Sequence, residues 1–93
     1  LPQSAERRLT EADLEGLSHQ ELCLARNEIY ARHGRRFKNK DIAAYFAEKD
    51  WYYPSIDASA FDANQNSYLS EDELYNATFM LEYEKRKFGK SYY

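Results

Sequence analysis

Apolar residues recur at spacings of three and four along Leu22, Ala25 and Ile29, with Arg26 and His33 on the same stripe, which predicts a helix over 19–33. Ser18 and Glu21 form a capping box at its start, and Gly34 supplies the left-handed residue that ends it. A shorter turn precedes it, capped by Thr10 with Asp13 three residues on and stopped by Gly16. Asn39 caps a helix over 40–49 whose face carries Ile42, Tyr45, Phe46 and Lys49. The last helix has the strongest start signal. Ser70 and Glu73 make a second capping box, Leu69 and Leu74 stand as a hydrophobic staple, and Gly89 closes it behind Lys85, Arg86 and Lys87. Its predicted stripe is Leu74, Ala77, Thr78 and Leu81, widened by Phe79, Met80 and Tyr83.

Three stretches lack this pattern. Residues 1–8 read as a disordered leader, and 55–68 as a polar loop. Trp51-Tyr-Tyr-Pro54 cannot continue a helix, because Pro54 disfavours helical backbone at Tyr53. The predicted fold is all-α: a small single-domain helical bundle over 9–90, its core closed by the extended aromatic segment Trp51–Pro54. Aromatic residues make up 16% of the 93, so large rings supply packing area that a chain this short otherwise lacks. The single cysteine, Cys23, cannot form an internal disulfide and is expected to be a buried, inert thiol. No apolar run approaches the roughly 18 residues of a membrane span. The chain starts at Leu1, which suggests a fragment of a longer precursor.

The net charge of −3 conceals a polarity. Residues 26–40 hold six Lys or Arg against Glu28 alone, whereas 41–84 hold ten Asp or Glu against Lys49 alone. Either the basic turn offers a face to an anionic ligand or the two halves complement each other, and in a domain this small the second is favoured. Nucleic acid is not an expected partner, since modules that bind it are basic overall.

Arg26, Asn27, Tyr30 and His33 lie at helical spacings, with Arg32 and Arg35 beside them in the basic turn. One reading is a binding row in which guanidinium and imidazole take a carboxylate or phosphate. The other is a buried network, with Arg26 on backbone carbonyls and His33 on a carboxylate such as Asp50 or on a carbonyl. The second is favoured. No catalytic residues are expected: Cys23 and His33 are about 15 Å apart along the helix axis, and His19 and His33 lack metal-pair spacing. The stretch 62–73 has the outline of a calcium loop, with Asp62, Asn64, Asn66, Ser70 and Glu73 as oxygen ligands. Ser67 stands where such a loop needs glycine, and a capped helix explains the same residues, so no cofactor is expected.

The run Leu24-Ala-Arg-Asn-Glu-Ile-Tyr-Ala-Arg-His-Gly34 with Phe37, then Tyr45-Phe46, Trp51-Tyr-x-Pro54, Leu69-Ser-x-x-Glu73 and Asn76, resembles the YARHG domain. The likeness spans about residues 9–85, and the naming string is intact at Tyr30–Gly34. Residues 55–68 depart from the pattern. The resemblance implies an extracytoplasmic domain of bacterial envelope or secreted proteins, often lipoproteins, with no defined activity. The expected role is a non-enzymatic interaction or structural module whose partner is a protein or a cell-wall component. Calcium-dependent binding at 62–73 and wall-polymer contact through 32–40 are the alternatives.

Overall fold

The computed structural model describes residues 2–91, so Leu1 of the expected leader lies outside the described residues, as do Tyr92 and Tyr93. A 3-10 turn at Pro2–Ala5 is followed by α1 (Glu11–Leu14), α2 (His19–Ala31), α3 (Lys40–Ala47), α4 (Ala58–Ala63), α5 (Gln65–Tyr68) and α6 (Glu71–Phe88). Among the described residues, β-pairing is limited to an isolated parallel bridge between Arg35 and Ile56. No described helix is long and apolar enough to cross a membrane.

The helix starts follow the sequence signals. Ser18 Oγ accepts from the Glu21 amide at 3.1 Å while Glu21 accepts from the Ser18 amide at 2.9 Å. Ser70 and Glu73 repeat those two bonds at 3.1 and 2.9 Å. Asn39 Oδ1 accepts from the amides of Asp41 and Ile42, satisfying two donors that the first turn of α3 cannot.

Helix α2 is central because it buries two sides. Leu22 and Ile29 enter the larger core with Leu9, Leu14, Phe61, Leu69, Ala77, Met80 and Tyr83. Cys23 and Ala31 enter a smaller core with Ile42 and Phe46, covered by Phe37, Trp51 and Tyr52. Trp51 and Tyr52 each meet Phe46 with ring centroids 6.0 Å apart, so the Trp51–Pro54 segment closes the second core as expected. Tyr45 touches it from the rim, its ring edge-on to Phe46 at 4.9 Å. It stays partly exposed, with Lys49 Nζ 4.5 Å from its ring centre.

Three regions differ from the sequence reading. The stretch 55–68 is not a loop: α4 and α5 occupy most of it, because Phe61 is fully buried and stacks on Tyr68 at 5.0 Å. The expected disordered leader, residues 1–8, is bound to the domain over its described part. Asn76, fully buried on α6, accepts from the Leu9 amide at 2.8 Å and donates to the carbonyls of Ser4 and Arg7, both at 2.8 Å. Arg7 grips Asp13 with two hydrogen bonds, which together with the Thr10 amide hold the Asp13 carboxyl well below the usual carboxylate range. The buried face of α6 is also rotated from the predicted stripe. It carries Glu73, Asn76, Ala77, Met80, Tyr83 and Glu84, while Thr78 is exposed.

Gly34 joins the two cores. Its φ is +91°, and the turn it makes carries Gly34 N–H to Ala31 O at 2.9 Å and Arg35 N–H to Tyr30 O at 3.3 Å, the paired bonds of a Schellman ending. Its carbonyl accepts from the amides of both Ser55 and Ile56. A Cβ placed there would lie 2.6 Å from Ser55 Oγ and 3.1 Å from the Tyr53 carbonyl oxygen. At Gly16, φ is +84° but no atom stands within 4 Å of such a Cβ. Gly16→Ala is therefore expected to cost only the left-handed penalty, about 1–2 kcal/mol, and Gly34→Ala clearly more. Urea unfolding of both variants measures this. Equal losses would show that the contact with 53–55 carries no weight.

Candidate functional site

The string Tyr30–Gly34 lies where α2 ends, and each residue there meets a different part of the fold. The Tyr30 ring stands edge-on to Phe61 at 5.9 Å, in the larger core. Ala31 is buried in the smaller one. Arg32 pairs with Glu28 at 3.1 Å, and its guanidinium carbon sits 4.2 Å from the Trp51 ring centre, where the negative π-face favours a cation. His33 Nε2 lies 2.9 and 3.1 Å from the two oxygens of Glu73. With the carboxylate accepting, Nε2 is the nitrogen that carries the hydrogen. The expected histidine–carboxylate contact is present, but its partner is Glu73 on α6 and not Asp50.

A second acid lies at the other end of the α2–α6 contact. Glu84 is fully buried, with His19 Nε2 at 2.9 Å from Oε2 and Arg26 Nε at 3.7 Å from Oε1. The expected carbonyl partners of Arg26 are thus replaced by a carboxylate, because a buried anion requires a cation beside it. His19 also stacks on Phe88 at 4.4 Å and 5°. Since His19 opens α2 while Glu84 is near the end of α6, and His33 follows α2 while Glu73 is near the start of α6, the two helices run antiparallel. Asn27 donates to the Cys23 carbonyl at 2.9 Å. Cys23 itself is fully buried, and that burial pushes its thiol up, opposite to the shift that activates a nucleophile.

Of the six residues singled out from the sequence, Arg26, Asn27 and Arg35 converge, while Tyr30, Arg32 and His33 point to three separate partners. The converging three line a recess of about 200 Å³ together with Cys23, Phe37, Lys38, Asn39 and Ile42. Lys38, which the sequence places in the basic run offered to an anionic polymer, and Asn39, which it marks as a cap, are lining residues that helical spacing does not reveal. Arg35 is turned toward the acidic half, holding Asp62 through Nε and Nη2, both at 2.9 Å. Tyr52 donates its hydroxyl to the Arg35 carbonyl at 2.7 Å, which fixes the turn against the aromatic segment.

The residues of the 62–73 calcium outline do not fold as a loop. Asp62 and Asn64 flank the end of α4, α5 fills the middle, and Asn64 donates to the Ala60 carbonyl. Asp62 is held by Arg35, Ser70 Oγ accepts from the Glu73 amide, and Glu73 serves both its cap and His33. Asn66 is exposed. Among the described residues, no three His, Cys, Asp or Glu side chains gather as a metal-binding group.

Breaking one partner of the Glu84 cluster leaves a buried charge less compensated. Arg26→Ala is expected to lower unfolding free energy by about 1–3 kcal/mol, read as a shifted urea midpoint at unchanged slope. A wild-type midpoint would release Arg26 from a structural role and return it to the ligand reading.

No curated protein and no solved structure matches the chain. The family model of the YARHG domain matches residues 1–85, a span that includes the leader bound by Asn76. The chain therefore belongs to the YARHG domain family.

Proposed function

We propose that this YARHG domain is a non-enzymatic interaction module working outside the cytoplasm, in the cell envelope or in a secreted protein, and that it meets an anionic polymer at the turn between α2 and α3. One observation carries the reading. Of the six cations of residues 26–40, Arg32 is engaged by Glu28 and the Trp51 ring, and the other five divide into two sets. Arg26 and Arg35 are turned inward to Glu84 and Asp62. Arg36, Lys38 and Lys40 are exposed; Arg36 reaches Asp57 only at 3.7 Å, and among the described residues Lys38 and Lys40 have no ion pair. The inward set belongs to the fold, and the outward set remains for a partner. The family match supports the extracytoplasmic setting, since the family is generally found there. The non-enzymatic reading draws support from the elevated thiol of Cys23 and from the engagement of both histidines with buried carboxylates.

Attraction between exposed charges is screened beyond about 8 Å at physiological ionic strength and reaches about 30 Å at 0.01 M. Retention of the domain on purified wall material is therefore expected to fall steeply as salt rises. Lys38→Glu/Lys40→Glu should abolish retention without changing the melting temperature, since neither side chain supports a core. Salt-insensitive retention, or full retention of the double variant, would contradict the proposal.

A further inference from the structure

Beside the outward cations runs a shallow trough of about 360 Å³, lined by Arg36, Phe37, Ala43, Ala47, Tyr52 and Pro54. Its size is at the small end of ligand sites, which run from about 300 to 1,000 Å³. Apart from the Arg36 guanidinium the lining is mostly carbon: the Tyr52 hydroxyl is held by the Arg35 carbonyl, so Tyr52 contributes ring surface. Phe37 is fixed by stacking on Phe46 at 5.3 Å and 21° and by the Arg35 guanidinium 5.1 Å from its ring centre, so it contributes its edge. Ala43 and Ala47 leave room on the α3 side, and Lys40 shares their helix face at the i, i+3, i+7 spacing. Tyr53, between two lining residues, is 75% exposed.

We infer that the trough takes a sugar ring of an anionic polysaccharide, the ring stacking on Tyr52 and Pro54 against the edge of Phe37 while its acidic group meets Arg36 and Lys40. This rests on the basic-turn reading above and names its ligand class. An occupant of an open trough with carbon walls must lay one apolar face on the rings and keep its polar edge in water. A pyranose does this: its axial C–H groups meet the electron-rich ring faces and its hydroxyls stay solvated. The charge pattern selects among polymers. Arg36, Lys38 and Lys40 are three exposed cations within five residues, whereas the dense phosphates of a nucleic acid would also meet the exposed carboxylates of Asp41, Glu48 and Asp50 on and after α3.

Isothermal titration with defined probes tests this. Oligogalacturonate presents ring and carboxylate, its methyl ester presents the ring alone, inorganic polyphosphate presents charge alone, and oligo(dT) presents a nucleic acid. Ala47 is an exposed helical position, so Ala47→Phe fills the trough from its edge, with Ala47→Leu as a smaller filler should the first misfold. Oligogalacturonate is expected to bind about tenfold tighter than polyphosphate. The filled variant should lose that advantage and keep polyphosphate binding, and Lys38→Glu/Lys40→Glu should lose both. Unchanged oligogalacturonate binding by the filled variant overturns the trough and leaves the basic turn standing. If the wild type binds neither anion, or binds the methyl ester as tightly as the acid, both proposals fall. Tighter binding of oligo(dT) than of oligogalacturonate replaces the glycan with a nucleic acid.

Discussion

Two carboxylates carried inward by the last helix, Glu73 and Glu84, set the geometry on which the rest of the domain depends. A buried anion in a small core is tolerated only with cations or donors around it. Here those groups come from one segment: His33 for Glu73, His19 and Arg26 for Glu84. The pairs stand at opposite ends of the α2–α6 contact, so they fix both its antiparallel sense and its register. Apolar packing of Leu22 and Ile29 against Met80 and Ala77 supplies area but is not directional; the acid–base pairs are.

Once α2 is placed against α6, its end determines the second half of the fold. His33 ties the last turn to Glu73, Gly34 reverses the chain, and its carbonyl receives the amides of Ser55 and Ile56. Arg32 over Trp51 and the Tyr52 hydroxyl on Arg35 complete the joint between α2 and the aromatic segment. The string that names the family thus reads as the joint between the two cores. Its fixed turn also sends the following residues outward, which is why Arg36, Lys38 and Lys40 are exposed beside a ring-walled trough. The structural motif and the proposed binding surface are neighbours in sequence.

Local signals were legible and distant partners were not. Both serine capping boxes, the asparagine cap at Asn39, the left-handed Gly34 and the closing role of Trp51–Pro54 were visible because each depends on residues a few positions apart. The inward face of α6 was misread because a stripe drawn through apolar residues passes over Asn76 and Glu84, which are buried to satisfy Leu9, Ser4, Arg7, His19 and Arg26. The partner of His33 lies forty residues away, beyond any periodicity. Helix α4 had a faint signal in Asp57 ahead of Ala58 and Phe61, and the surrounding polar residues hid it. At the site, helical spacing places Arg26, Asn27, Tyr30 and His33 in one row, but the fold keeps only Arg26 and Asn27 together and brings Arg35 to them, and which cations face inward depends on where Glu84 and Asp62 fold to.

The claim that the string is a joint between helices is tested most directly by a double-mutant cycle on His33 and Glu73, using His33→Ala and Glu73→Gln. Glutamine keeps an oxygen for the Ser70 amide, so the helix cap survives while the charge facing His33 is removed. If the pair holds α2 to α6, the two losses in unfolding free energy should fail to add, with a coupling of about 1 kcal/mol or more. Losses that add to within about 0.3 kcal/mol would mean that His33 and Glu73 act independently, and the joint would have to be sought elsewhere.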